Sequence, residues 1–322
     1  MAANEPGKFV GSAPKASYYL YRTEDVATEF PIEEHNWVVA AEKADSAGAD
    51  IISSSLGYSL FDDPAFNHSY ADMNGDNTII TQGADLAAKK GMIVCNSAGN
   101  SGGEAWKYII APADGDSVLA IGAVSTDSVP GSFSSYGPAA DGRIKPDVAS
   151  VGVNTQFIGT DGEITNGSGT SLANPNLAGL IACLWQAFPE FSNMEIIDAV
   201  KRSAHRYSNP EDRVGYGIPD MEKAYDLLIT ERSERLLKED WVKAYPNPLT
   251  TFINVITKAQ ETGEMQTQLS DIAGRVIQTS RIQVQQNQIS AFTIDGLSSL
   301  SAGIYHLRVI NGKHSSTIRL VK

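Results

Sequence analysis

The sequence predicts a parallel α/β sheet with helices on both faces, followed by a small all-β sandwich. Three observations carry this prediction. Short apolar runs alternate with helical patterns from Ala16 to about Tyr225, the order expected of βαβ units. After about Thr230 the texture changes to a charged connector and then to short alternating runs separated by turn residues. The 322 residues also exceed the usual single-domain size. The expected division is residues 1–230, a linker at 231–243, and a sandwich at 244–322.

Within the first part, Ala16-Ser-Tyr-Tyr-Leu-Tyr21 reads as a strand and Ile32 to Gly48 as a helix, with Trp37, Ala41 and Ala44 at helical spacing. Strand signals return at residues 50–55, 92–95 and 118–124, with a helix from about Ile79 to Lys90. In such a sheet, ligands bind at the carboxyl ends of the strands. In the second part the runs Phe252–Ile256, Met265–Leu269, Arg275–Thr279, Ile289–Ile294, Ile304–Ile310 and Ser316–Val321 read as strands. Asp271-Ile-Ala-Gly274, Asp295-Gly296 and Asn311-Gly312 read as their turns.

Composition excludes several functions. With 25 Lys and Arg against 38 Asp and Glu, the net charge of −13 repels phosphate backbones, so nucleic acid is not an expected partner. No stretch reaches the roughly 18 apolar residues needed to span a bilayer, so no transmembrane segment is expected. Cys95 and Cys183 each sit in an apolar run and read as buried free thiols.

The most informative segment is Asn166-Gly-Ser-Gly-Thr-Ser-Leu-Ala-Asn-Pro-Asn-Leu-Ala-Gly179. It places Ser171 at the mouth of a helix that is apolar or small nearly all round, which belongs inside a domain. Pro175 is read as falling in the first turn, where no intrahelical N–H is lost. Backbone N–H groups and the positive end of the helix dipole would lie beside the Ser171 hydroxyl, ready to stabilise an oxyanion. A second segment, Val94-Cys-Asn-Ser-Ala-Gly-Asn-Ser-Gly102, puts the side-chain amide of Asn100 at the carboxyl end of a strand; read alone, it is a turn.

Gly169-Thr-Ser-Leu-Ala-x-Pro-x-Leu-Ala-Gly179 resembles the nucleophile signature of the subtilisin-like (subtilase) serine proteases, with Leu172 and Leu177 in place of the usual Met and Val. The resemblance implies that Ser171 is the nucleophile and that Asn100, in Ala98-Gly-Asn-Ser-Gly102, is an oxyanion donor. It likewise makes Ser55, Leu56 and Gly57 the strand that pairs with an extended substrate, Gly57 leaving room for its backbone. Phe133-Ser-Ser-Tyr-Gly-Pro138 and Arg143-Ile-Lys-Pro-Asp-Val-Ala149 match family segments without carrying chemistry. A lipase-like α/β-hydrolase is disfavoured because Gly-x-Ser-x-Gly is absent around Ser171.

A serine nucleophile needs a base and a carboxylate to orient that base. None of His35, His68, His205, His306 and His314 stands in the family's His-Gly-Thr, and Asp45, Asp116 and Asp127 lack the glycine that marks the family aspartate. Gly11-Ser-Ala-Pro-Lys-Ala-Ser-Tyr-Tyr-Leu20 resembles the segment that follows the family's histidine helix. The expectation is therefore a sheet incomplete at its N-terminus, with the base, the carboxylate and an export signal encoded upstream, and a fragment inert on its own. The alternative is a non-catalytic secreted pseudoprotease that binds peptides.

Tyr245-Pro-Asn-Pro248, with Asp271-Ile-Ala-Gly-Arg-Val276, Leu300-Ser-Ala-Gly-Ile-Tyr305 and Arg319-Leu-Val-Lys322, resembles the C-terminal sorting domain of the type IX secretion system. This implies a protein secreted or held at the outer membrane, with that machinery as a partner beside a peptide or protein substrate. A carbohydrate-binding or adhesive β-module is the rival, disfavoured by the lack of clustered aromatics. No cofactor is required. Asp72-Met-Asn-Gly-Asp-Asn77 is oxygen-rich but lacks the distal bidentate Glu of a calcium loop, so turn chemistry is the favoured reading and calcium is left open.

Overall fold

The computed structural model describes residues 1–322, which divide into two compact units, Met1–Asp226 and Leu227–Lys322. The first opens with a two-residue-per-strand hairpin, β1 (Asn4–Glu5) and β2 (Phe9–Val10), followed by α1 (Ile32–Ala47) and β3 (Ile51–Ser54). Then come α2 (Ile79–Lys89), β4 (Ile93–Ser97), β5 (Val118–Val124) and β6 (Val148–Val151). A hairpin of β7 (Thr155–Ile158) and β8 (Ile164–Gly167) leads into α3 (Thr170–Ala187) and α4 (Asn193–Ser203). Helix α5 spans Met221–Leu236, so the expected connector begins as helix.

Strands β3-β4-β5-β6 form one parallel sheet in that order. β4 and β5 are buried along their whole length, as continuous apolar runs in a two-sided sheet require. On one face, Trp37, Ala41 and Ala44 of α1 and Ile80, Ala84 and Ala88 of α2 close over Val94 and Val118. On the other, α3 crosses all four strands. α1 ends where expected, with Gly48 in the left-handed conformation at φ 78°.

Two expectations fail, each for a physical reason. Ala16–Tyr21 forms no strand, because a strand needs a partner and the nearest sheet edge, β3, lies across a groove from it. Cys183 is exposed rather than buried, and Leu180 is 37% exposed: the apolar character of α3 extends to a side that nothing covers. Cys95 is buried as read, and burial pushes its thiol up to about 12.

Two charged clusters fasten the unit. Asp147 is buried with Lys145 Nζ at 2.8 Å and Lys201 Nζ at 2.8 Å, and its Oδ2 also accepts from the Ala120 N–H. Burial alone would raise its carboxyl, but the two ammonium groups hold it below the ordinary carboxylate range. This triad pins the chain just before β6 to β5 and α4. At the other end, carboxylate oxygens of Glu24, Glu29 and Glu33 lie within 4.8 Å of one another. Glu33 is buried and accepts from the Asp25 N–H, while Glu24 accepts from the Tyr58 hydroxyl. Burial first, and the Glu33 charge second, push Glu29 up to about 7.

The second unit is antiparallel throughout. β9 (Val242–Tyr245), β10 (Ile253–Lys258) and β13 (Ile289–Ile294) form one sheet in the order β13-β10-β9. β11 (Gly263–Asp271), β12 (Val276–Val284), β14 (Ile304–Asn311) and β15 (His314–Val321) form the other, ordered β12-β11-β14-β15. Alternate residues such as Met265, Leu269, Leu307 and Val309 point into a shared core with Ile253 and Val255. Asn247, between the two prolines, donates to Arg319 O at 3.0 Å and accepts from Val321 N–H at 2.9 Å, joining two of the motifs singled out above.

Two outcomes test this description. Asp147→Asn leaves two ammonium groups without their counter-charge and should cost about 3–5 kcal/mol in chemical denaturation. The depressed carboxyl stabilises the fold above its unfolded value of roughly 4 and loses that contribution as pH falls toward its folded value. The raised Glu29 behaves oppositely, its contribution disappearing as pH rises from about 4.5 through about 7. Glu29→Gln should therefore melt higher than the parent at pH 8 and no higher at pH 4; equal shifts at both pH values would refute the assignment.

Candidate active site

Gly169 precedes α3 with extended backbone and donates its N–H to Gly152 O at 2.8 Å. Gly152 has to be glycine here: a Cβ would fall 2.7 Å from Gly169 O and 2.8 Å from the Ala173 Cβ. Thr170 and Ser171 then open the helix, whose first-turn N–H groups have no intrahelical acceptor. One of these orphans is satisfied by Asn100, whose Oδ1 accepts from the Thr170 N–H at 2.9 Å and from its hydroxyl at 3.0 Å.

That clasp has a chemical consequence. With Oδ1 committed to Thr170, the remaining end of the amide is the donor Nδ2, presented at the same helix mouth as the Ser171 N–H. Asn100 is exposed and Ser171 half-buried, so both open onto the surface. The asparagine is itself braced from behind. Gly99, at φ +109°, accepts from the Ser135 N–H at 2.9 Å, and the Ser101 N–H donates to Ser135 Oγ at 3.0 Å. A side chain on Gly99 would meet that hydroxyl at 2.8 Å. The segment Phe133–Pro138, read as carrying no chemistry, thus braces the loop that holds Asn100.

The structure brings Ser55 to the same helix. Pro175 is the sixth residue of α3, not within its first turn as expected, so the Ser171 carbonyl loses its i+4 donor. Ser55 supplies the replacement, its hydroxyl donating to Ser171 O at 3.2 Å. Asn174, fully buried, donates to Ser54 O at 2.8 Å and fastens α3 to the end of β3. Asn96, also fully buried, donates to Leu56 O at 3.1 Å. Sequence reasoning missed both asparagines, although each falls inside a segment it singled out. A Cβ on Gly57 would fall 2.7 Å from the Ile110 side chain and 3.0 Å from Ala111 O, so this position needs glycine.

Three histidines have hydrogen-bond partners of their own. His35 Nδ1 lies 3.0 Å from Pro31 O, His68 Nε2 lies 2.7 Å from Glu34 Oε1, and His205 Nδ1 accepts from the Ile218 N–H. The bond to Glu34 raises the His68 pKa against the opposing effect of burial. In the Asp72–Asn77 loop, Asp72 Oδ2 accepts from Ser69 and Asn74 Oδ1 accepts from the Asp76 and Asn77 N–H groups. Those oxygens are occupied by turn and capping bonds.

If Ser55 replaces the donor that Pro175 removes, the two positions are coupled. Ser55→Ala should cost about 1–3 kcal/mol by leaving the Ser171 carbonyl unsatisfied. Adding Pro175→Ala should recover at least half of that loss, as the restored N–H reaches Ser171 O. Additive costs in the double-mutant cycle would contradict the coupling.

Residues 1–217 match the Subtilase family and residues 243–322 match the secretion system C-terminal sorting domain. Serine protease AprX of Bacillus subtilis is 27% identical over 241 residues, 67% of this chain and 52% of that protein. Subtilisin NAT of Bacillus subtilis subsp. natto is 28% identical over 210 residues, 65% of this chain and 49% of its own length. The chain thus spans about half the length of these curated relatives. Among solved structures, MycP1 with its N-terminal propeptide removed superposes with a TM-score of 0.53 at 22% identity, covering 69% of this chain and 75% of that one. The self-cleaved protease domain of PatA gives 0.50 at 22% identity, covering 61% and 68%. No helix is long and apolar enough to cross a membrane. The sorting domain marks the protein as secreted or outer-membrane-associated, which sets aside the rival reading of the sandwich as a sugar-binding module. With two-thirds of its length matched and the sheet, the α3 mouth and the Asn100 clasp in place, the chain belongs to the subtilase family of serine proteases.

Proposed function

We propose that this chain contributes the nucleophile and the oxyanion site of a secreted endopeptidase. The supporting observation is the Asn100 to Thr170 clasp, which turns Nδ2 outward beside the Ser171 N–H. Ser171 Oγ attacks the scissile carbonyl carbon and gives its proton to a base. The carbonyl oxygen becomes an oxyanion that accepts from Asn100 Nδ2 and the Ser171 N–H. Collapse of the intermediate breaks the C–N bond, the departing amine takes the proton, and water releases the acyl group from Ser171 by the reverse sequence. Ser55, Leu56 and Gly57 hold the extended substrate alongside. No cofactor is needed.

The reaction needs a base and an orienting carboxylate beside Ser171, and none of the five histidines stands in the family's His-Gly-Thr. The chain alone then has no peptidase turnover; in subtilisin, loss of the histidine lowers kcat by about 2 × 10⁶. The partner that reads the C-terminal unit is the type IX secretion machinery.

A peptide boronate tests the site without a protein base, because boron accepts the serine oxygen while solvent water or hydroxide takes its proton, giving a tetrahedral adduct. Mass spectrometry should find the adduct on Ser171, lost in Ser171→Ala and weakened at least tenfold in Asn100→Ala, in line with the 10²–10³ effect of removing one oxyanion donor. An adduct indifferent to both substitutions would end the proposal. A chromogenic peptide should be hydrolysed equally slowly by the parent and Ser171→Ala; a Ser171-dependent rate would overturn the claim of inactivity.

A further inference from the structure

Two glycines of the candidate site lean on one side chain. A Cβ on Gly57 would fall 2.7 Å from both Cγ1 and Cδ1 of Ile110, and a Cβ on Gly99 would fall 3.0 and 3.1 Å from the same two atoms. Ile110 therefore lies between the run assigned to the substrate and the loop that holds Asn100. We propose that Ile110 closes the space beside the reacting carbonyl and restricts cleavage to bonds that follow glycine, alanine or serine. The inference rests on the reading of Ser171 and Asn100 given above and adds the class of peptide that this site accepts.

The backbone fixes Ile110 from both sides. Its N–H donates to Ala98 O at 3.3 Å, while Ala111 exchanges two hydrogen bonds with Tyr58, at 2.8 and 3.2 Å. On its other side, the Ile109 N–H donates to Tyr136 O at 3.0 Å. Three consecutive residues are thus tied to three different segments. Ile109 and Ala111 are fully buried and Ile110 is half-buried, so within this run it is the Ile110 side chain that meets the surface. A β-branched side chain is stiff at χ1 and does not swing aside cheaply.

The substrate is placed by the same two segments. The carbonyl oxygen that accepts from Asn100 Nδ2 stands beside residues 99 and 100, and the peptide that carries it runs along Ser55, Leu56 and Gly57. The side chain of the reacting residue then has the gap between Gly57 and Gly99 to enter. Neither wall carries a Cβ there, which would leave a deep slot if its floor were bare. Ile110 fills that slot instead. At the packing density of protein interiors, a methyl or hydroxymethyl group fits against an isoleucine where a leucyl or aromatic side chain overpacks. Charged side chains are excluded on a second ground. Leu56, Gly57, Ala98, Gly99 and Ile110 offer no counter-charge, and the nearby Ser135 hydroxyl already accepts from the Ser101 N–H.

The test uses the full chain and two peptide boronates that differ only at the residue bearing boron, one with the side chain of alanine and one with that of phenylalanine. Calorimetric titration, with the adduct located on Ser171 by mass spectrometry, should find the alanine compound bound at least tenfold more tightly. Ile110→Ala should shift the ratio of the two affinities toward the phenylalanine compound by at least tenfold. Ile110→Val, which removes Cδ1 alone, should move the ratio in the same direction by a smaller step, and keeps the test decisive if the alanine variant does not fold. Equal affinities in the parent, or a ratio that neither variant moves, would overturn the assignment of Ile110 while leaving Ser171 as the nucleophile. Absence of an adduct with either compound would instead remove the reading of Ser171, and this inference with it.

Discussion

The first unit is organised around a shortage of hydrogen-bond partners at one helix end. The opening turn of α3 has N–H groups with no acceptor of its own, and Pro175 leaves the Ser171 carbonyl with no donor. Both deficits fall within two residues of the serine. Asn100 meets the first and Ser55 the second, and these residues come from the carboxyl ends of β4 and β3. The helix start is therefore held by the ends of two parallel strands, which is where such sheets gather their chemistry. Because the two replacements are side chains, they fix the orientation of the groups they touch: an amide bonded through its oxygen has only its nitrogen to offer.

Much of this was legible in the sequence, and the part that was not has a common cause. The β4 and β5 runs, α1 with its closing Gly48, and the strands of the sandwich follow from periodicity and turn residues acting over a few positions. Ser171 and Asn100 stand out in the sequence because each lies in a long pattern of small and polar residues. Pro175 was misplaced because sequence does not reveal where a helix begins to within a turn, and the fate of Ser171 O depends on that count. Ala16–Tyr21 was read as a strand from its composition, yet a strand is a property of two chains, and the neighbour is absent. The exposure of Cys183 has the same origin, since an apolar helix side is buried only if something is there to bury it.

The asparagines show what local reading misses. Asn193 donates to Ala88 O and Met92 O at 2.7 and 2.8 Å, tying the start of α4 to the end of α2 and the approach to β4. Asn247 closes the sandwich between β9 and β15, and Asn96 and Asn174 hold the end of β3. Each lies tens of residues from its partner in sequence, so no short motif marks the pair. An amide is suited to the task because it matches the backbone's own geometry while remaining uncharged in a buried setting.

The same device carries a cost that falls beside the candidate active site. Asn96 Oδ1 and Asn174 Oδ1 are buried without a donor, whereas Asn100 and Asn247 use both ends or keep one end at the surface. An unsatisfied buried acceptor costs on the order of 1–3 kcal/mol, so the chain accepts several kcal/mol of destabilisation to hold Ser54, Ser55 and Leu56 in place. An apolar side chain at either position would avoid the cost and would pack, but it would release the strand end that carries Ser55 to the Ser171 carbonyl. Stability has been given up where geometry next to the serine is the requirement, and the intact β5 core and the Asp147 triad, which lie behind it, supply the rigidity that makes the concession tolerable.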